Sequence, residues 1–492
     1  MFFIYINSNL VREIITYSTE VITIIAIIAV SLFILLDNRR SPIKSISWLL
    51  VIIFIPVIGL ILYFFLGRNY RKNKIFSRKE ISDLQHIEKY IGNQIITKIS
   101  VSIPNHIRIK RKEGIINLLR NNNKAFLTND NKVEVLNNGI DTFDSIISAI
   151  QNANNHIHLE YYIIEDGKIA NKIRDILIEK AKSGVTVRLI YDDLGSWGLS
   201  ANFINSLKDA GAEVYPFMPV RFHRLVTKIN YRNHRKIIIV DGNIGFVGGL
   251  NIADRYIKGN EEIGFWRDTH LRIEGSAVDT LQLVFLTDWY FVSNKIINDS
   301  IYFPEHNIIE KCLVQIASSG PDSNWASIQQ AFFYAISTAN KYIYISTPYF
   351  MPDESILTAL KTASLSGVDI RILLPSKSDS IIAQWCSMSY IEELLEANIK
   401  IYIYKIGFTH SKIIIIDDIF SSVGTANMDI RSFDQNFEIN ALIYNENIAI
   451  NLKNSFNKDI KSSEQLLLNT FSNRNLVHKF KESIARILSP LL

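Results

Sequence analysis

Cysteine is nearly absent from this chain: Cys312 and Cys386 are the two in 492 residues. They stand far apart and without metal-ligand spacing, which argues against a disulfide framework and a cysteine-based metal site and fits a reducing compartment. A large excess of either charge is lacking too. The 53 basic and 48 acidic residues give a formal net charge of +5 and are well mixed, so nothing demands a nucleic-acid partner. Apolar sequence, by contrast, is abundant. Hydrophobic residues make up 48%, mean hydropathy is +0.12, and the excess sits at the N-terminus. A chain of this length can form two or three domains with real cores.

Val21 to Leu36 is an apolar run broken only by Thr23 and Ser31, and Asp37-Asn38-Arg39-Arg40 ends it. A second run extends from Ile46 to Leu66 and is followed by Arg68, Arg71, Lys72 and Lys74. A cleaved signal peptide ends in small residues, which the first run does not. The second run has the roughly 20 residues that a spanning helix needs. Pro56 inside it is tolerated in a membrane span, and Trp48 and Tyr63 lie near its ends as interfacial aromatics do. These features predict a transmembrane hairpin within residues 1–75, with spans at about 17–36 and 46–66. The larger basic cluster places the rest of the chain in the cytoplasm, making the protein a multi-pass membrane protein. Arg39, Arg40 and Lys44 pull against that orientation. Residues 76–130 turn polar, with an amphipathic stretch over Lys79–Lys98 and a basic, Asn-rich stretch from Lys110, and read as a connector.

The remainder is duplicated. His234-x-Lys236-x4-Asp241-x6-Gly248-x2-Asn251 recurs as His410-x-Lys412-x4-Asp417-x6-Gly424-x2-Asn427, offset by 176 residues throughout. The repeat reaches further. Val133 to Gly139 resembles Val314 to Gly320, Ile157 to Ile163 resembles Ile343 to Tyr349, and Ser183 to Ile190 resembles Ser366 to Leu373. Each copy alternates strand and helix, which predicts an α/β fold: two tandem domains at 131–295 and 305–492, each a mostly parallel sheet covered by helices. The two would meet face to face across a shared cleft.

Alternation along the apolar strands Ile237–Val240 and Ile413–Ile416 puts His234 with Lys236, and His410 with Lys412, on common faces. Two imidazoles, two ammoniums and two amides form an anion site with a nucleophile. The lysines and Asn251 and Asn427 can hold phosphoryl oxygens, one histidine can attack phosphorus, and the other can serve as acid and base. The chemistry calls for no metal and no cofactor. The catalytic candidates are therefore His234, Lys236, Asp241, His410, Lys412 and Asp417, with the two aspartates in structural or electrostatic support. The symmetry of the motif does not choose the nucleophile. Tyr349 and Asp353 follow a strand end and are candidates to line the cleft. His223, in the basic loop Arg221-Phe-His-Arg224, is a weaker candidate for headgroup phosphate, and His156, His158 and His270 read as structural.

The twin motif is similar to that of the phospholipase D superfamily, and the whole chain most resembles the membrane-bound bacterial cardiolipin synthases. The flanking matches are Pro56-Val-Ile-Gly59, Leu159-Glu-Tyr-Tyr162, Trp266-Arg-Asp-Thr-His270, Ser346 to Asp353 and Asn436 to Leu442. This resemblance implies transfer of a phosphatidyl group from one phosphatidylglycerol to another through a phosphohistidine. It implies His234 as nucleophile and His410 as acid and base, with phosphatidylglycerol and anionic membrane lipid as partners, not nucleic acid. A homo-oligomer is compatible with it. The resemblance also implies an acid that orients each histidine: Glu438 for the second copy and, by strand pattern rather than by count to Glu262, Asp268 for the first. A hydrolytic phospholipase D or a transferase with another acceptor is the nearest alternative, then a nuclease, then a non-enzymatic membrane scaffold.

Overall fold

The structure is a computed structural model that describes residues 8–36, 42–63, 111–220, 231–487 and 489. The basic clusters at 37–40 and 68–74, the stretch Lys79–Lys98 and the loop carrying His223 lie outside the described residues. The chain divides into two units, Met1–Arg71 and Lys72–Leu492.

In the first unit, helix Ser8–Leu36 contains Thr16–Leu36, a 21-residue segment long and apolar enough to cross a membrane. Ile24, Ile28, Leu32 and Leu35 are exposed along it. The predicted hairpin does not form two such spans: among the described residues this helix is the one that passes. The second apolar run is split into Pro42–Phe54 and Pro56–Leu62. Pro56 lacks an N–H, and its ring would clash with the carbonyl four residues back, so Ile55 leaves the helix at φ −134° and ψ 69°. Gly59 then packs so closely on Val51 and Ile52 that a Cβ would overlap their backbone. Trp48 and Tyr63, read as interfacial anchors, meet edge to face at 5.4 Å instead.

The second unit is built on one sheet of 15 strands. From the centre outward, the first half runs Thr128–Asn137, Thr269–Gly275, Ile244–Gly248, Ile237–Val240, His156–Tyr161, Thr186–Asp192 and Glu213–Phe217. The second half repeats that order with Cys312–Ser319, Glu438–Tyr444, Phe420–Gly424, Ile413–Ile416, Tyr342–Ser346, Asp369–Pro375 and Lys400–Tyr404, and adds Ser463–Gln465 at its edge. The halves join where Thr128–Asn137 pairs antiparallel with Cys312–Ser319.

The sheet is mostly antiparallel, which corrects the expected parallel one. Parallel pairing within the sheet is confined to His156–Tyr161, Thr186–Asp192 and Glu213–Phe217 and to their counterparts Tyr342–Ser346, Asp369–Pro375 and Lys400–Tyr404, where helical crossovers connect them. The motif strands fold as hairpins. Their turns hold Asp241 and Gly242 at φ 53° and 67°, and Asp417 and Asp418 at 57° each, a backbone that Asp and Gly tolerate. The strand-helix alternation was real; the hairpin inside each repeat reverses the chain and is what it concealed.

Both faces of the sheet are buried, which is why the motif strands are continuously apolar. Ile237, Ile239, Ile413 and Ile415 point into a core spanning both halves, packed by helices Ala277–Ser293 and Glu446–Lys461. Ile238 and Val240 face a core of the first half, and Ile414 and Ile416 one of the second. Ile115, Ile116 and Leu119 of helix Glu113–Asn123 belong to that second-half core. Gln315 Nε2 donates to the carbonyls of Ile116 and Ala125, at 3.1 and 2.9 Å. The end of the stretch read as a connector is thus integral to the body.

Candidate active site

Each motif histidine enters the site on a segment that pairs with the other half. Gly407–Thr409 runs parallel to Phe265–Arg267, and the His410 N–H donates to the Arg267 carbonyl at 2.7 Å. On the opposite side Asn233 bridges Phe437, and the His234 N–H donates to the Phe437 carbonyl at 2.9 Å. The residue after each of those carbonyls is an acid, so the histidine–acid pairs are crossed between halves. His234 Nδ1 lies 2.9 Å from Glu438 Oε2, and His410 Nδ1 lies 2.8 Å from Asp268 Oδ2. Assigning each acid to the histidine of its own copy, as the resemblance did, is therefore reversed by the geometry.

His234 and His410 line a single cavity of about 340 Å³, with Asn251 and Asn427. Lys236 and Lys412 lie behind them, buried, each donating to the carbonyl of its own motif histidine at 2.7 and 2.6 Å. Lys412 Nζ also sits 2.9 Å from His410 Nδ1. Asn251 Nδ2 donates to the Tyr256 hydroxyl at 2.8 Å, while Asn427 Oδ1 is buried with no hydrogen-bond partner among the described residues. Tyr162 packs edge-on to His234 at 4.9 Å, and Tyr256 to His410 at 5.6 Å.

Asp241 and Asp417, counted with the catalytic set, are not in this cavity. Four strand residues separate each from its lysine, five residue steps or about 16 Å of extended chain. Asp241 instead accepts from the backbone N–H groups of Asn154, Asn155 and His156 at 2.7–2.9 Å. Asp417 does the same for Asn340, Lys341 and Tyr342 at 2.7–3.1 Å. The motif aspartate clamps the hairpin to the neighbouring strand. Tyr349 lines the cavity, but Asp353 caps helix Glu354–Leu365 through the Ile356 N–H. His156, His158 and His270 are buried in the body and do not line this cavity.

Burial dominates the protonation states. It pushes His234 down to about 4, with the Lys236 charge acting the same way against Glu438. His410 falls well below its ordinary value through burial, Lys412 and Lys236. Burial drives Lys236 well down and Lys412 to about 8. The two acids diverge. Burial raises Asp268 to about 7 in spite of Lys412. Burial also acts on Glu438, yet His234, Lys236 and the Thr425 hydroxyl overcome it and hold the carboxyl below the usual range. The position matching Thr425 in the first copy is Gly249, which has no hydroxyl; a Cβ there would overlap the Asp268 carboxylate. His234, Lys236 and His410 are lowered further by the basic groups beside them.

Two basic cavity residues escaped the sequence reading. Arg255 and Arg431 follow Asn251 and Asn427 by four residues in each copy, at the same offset of 176. The signal was one more turn of the duplicated pattern. Arg255 is tied to Glu165 at 2.5 Å, whereas Arg431 makes no salt bridge among the described residues.

The family described as "Cardiolipin synthase, PLD-like domain" matches residues 146–289 and 333–460, and "Phospholipase_D-nuclease N-terminal" matches 21–68. A cardiolipin synthase of Halalkalibacterium halodurans is 44% identical over 96% of this chain and 93% of its own length. The chain belongs to the cardiolipin synthase family, within the phospholipase D superfamily. A second family member, from a Geobacillus species, is 45% identical over 95% of this chain and 92% of its own. The crystal structure of phosphatidylserine synthase from Haemophilus influenzae superposes with a TM-score of 0.59 over 77% of this chain and all of that one. At 14% identity that likeness shows the fold alone. Family membership and helix Thr16–Leu36 together make this a membrane-associated enzyme of phospholipid metabolism.

Proposed function

We propose that this family member synthesises cardiolipin from two molecules of phosphatidylglycerol by a two-step exchange at the crossed histidine pairs. His234 Nε2 attacks phosphorus of the first lipid. The bond from phosphorus to the glycerol headgroup oxygen breaks, and His410 gives that oxygen its proton, releasing glycerol. His410 then takes the proton from a headgroup hydroxyl of the second lipid, whose oxygen attacks phosphorus as the phosphorus–nitrogen bond breaks. Asn251 and Asn427, which line the cavity, hold the non-bridging oxygens, and Lys236 and Lys412 behind the histidines help to stabilise the charge that develops on them. Asp241 and Asp417 support the motif strands. Domains at 131–295 and 305–492 complete this assignment, with 76–130 joining them to the membrane segment and packing its helix Glu113–Asn123 into the second-half core. A cytoplasmic catalytic body is supported by the basic residues Arg68, Arg71, Lys72 and Lys74.

The single observation that carries the mechanism is two histidines on one cavity, each with Nδ1 on a buried acid of the other half. The unequal acids support the division of labour. An ionised Glu438 accepts a hydrogen bond from the Nδ1–H of His234 and leaves Nε2 unprotonated and free to attack, while the Asp268–His410 pair retains a titrating proton near neutrality.

Purified protein in vesicles with phosphatidylglycerol as the sole substrate lipid is expected to yield cardiolipin and glycerol in equal amounts. Phosphatidic acid as the main product would overturn the transfer. His234→Ala and His410→Ala should each reduce turnover by about 10³-fold or more. An acid-labile, base-stable phosphoryl adduct should form in His410→Ala and be missing from His234→Ala. The reverse pattern would exchange the two roles.

A further inference from the structure

Helix Leu476–Ile487 carries its apolar residues away from the protein. Its docked side is polar: Glu482 is buried and bonded to Arg474 at 2.8 Å, and Arg486 reaches Glu393 at 2.6 Å. Ala485 is buried with them. Leu476, Val477, Phe480, Ile484 and Ile487 are exposed, Leu476 at 80% and Ile487 at 77%. At 3.6 residues per turn, these five fall within an arc of about 100° opposite the docked side. Single exposed apolar residues are ordinary on a protein surface; a continuous stripe of five is not. Lys479 and Lys481 flank the arc on its two edges, Lys481 standing 5.2 Å over the Trp385 ring.

Trp385 belongs to helix Ile381–Met388, which begins at the cavity. Asp379, Ser380 and Ala383 line the cavity, and Ile381 and Ile382 between them are exposed. The apolar stripe and one wall of the active site are thus held together by packed helices.

We propose that Leu476–Ile487 is an interfacial helix that lies in the headgroup region of an anionic phospholipid bilayer and holds the cavity mouth against it. Three observations select a bilayer. The apolar arc is bordered by lysines, the pattern of helices that bind anionic interfaces. Thr16–Leu36 keeps the same chain at a membrane. The helix that carries the stripe packs on Ile381–Met388, which begins at a cavity whose proposed substrate has two acyl tails that stay in lipid. A second copy of the chain would suit the arc less well, because two-fold pairing of this face would bring its bordering lysines together. Only the third observation rests on the phosphatidylglycerol reading.

The test uses the full chain reconstituted into vesicles of phosphatidylglycerol and phosphatidylcholine. A fluorophore at Phe480→Cys should be quenched about twofold or more by lipids brominated on the acyl chain, and less in phosphatidylcholine alone. This readout needs no turnover, so it stands if the substrate assignment fails. The triple variant Leu476→Glu, Phe480→Glu, Ile484→Glu should lose about tenfold or more of its turnover on vesicles and keep its turnover on monomeric short-chain phosphatidylglycerol. A label that stays in water, one that cross-links to the same position of a second chain, equal loss on both substrates, or undiminished vesicle turnover would each overturn the proposal.

Discussion

Gly249 and Thr425 occupy the same place in the two copies, and their difference bears directly on the two acids. Thr425 offers Glu438 a hydroxyl, and Gly249 offers Asp268 only room. Gly249→Ala should therefore displace Asp268, misalign His410 and lower kcat by about 10²-fold with little change in KM, since a displaced positioning group costs transition-state rather than ground-state binding. Thr425→Val removes the hydroxyl that helps hold the Glu438 carboxyl down, so this carboxyl should titrate higher and the acid limb of the pH–rate profile should move to higher pH. An unmoved limb would separate Thr425 from that carboxyl. The residues that make the site were readable as types: His234, Lys236, Asn251 and their copies carry the spacing in the sequence itself. Their partners were not. Glu438 lies 204 residues from His234, and Asp268 142 residues from His410. Within-copy counting cannot see a bond whose two ends belong to different copies.

At the scale of elements, the twin hairpins carry the motif, and the motif aspartates secure them. Asp241→Ala removes an acceptor from three N–H groups and puts alanine at φ 53°, so it should cost about 2–4 kcal/mol in denaturant unfolding. Asp241→Asn tolerates the left-handed backbone and keeps an acceptor, so its loss should be about half. In both variants, turnover per folded molecule should stay within a few-fold of the parent, which a catalytic aspartate would not allow. Helices and strands were legible here from period and punctuation, as in the alternation from Ile157 to Leu373. The sheet direction was not, because a hairpin and a crossover strand share the same apolar run when both faces are buried. Pro56 was likewise visible as a residue, but not as a break: a spanning helix and a broken pair have the same composition.

Across the whole molecule, burial opposes charge in both directions. His156, His158 and His270 are held neutral, His156 at about 4 and His270 at about 3, while Glu160, Asp192 and Asp268 are pushed up. The signs oppose each other. A depressed histidine loses stability as pH falls from about 6.5 toward its folded value, because only the unfolded chain takes up the proton. A raised carboxyl loses stability as pH rises through its folded value. The parent profile is a compromise between them, so one group is best read by difference. His270→Gln should gain about 1.4 kcal/mol on the parent for each pH unit below about 6.5, down to about pH 4, by urea unfolding. A pH-independent difference would show that His270 is charged in the fold. The crossed acids also have a genetic meaning. Because each half supplies the carboxylate for the other half's histidine, neither copy can be silenced while its twin continues alone. Co-expressing a chain defective at His234 with one defective at Glu438 should fail to restore activity unless the chains exchange whole halves, since both lesions strike the same pair. The pairing of Thr128–Asn137 with Cys312–Ser319 sets both halves in one sheet, so a single chain holds both crossed pairs.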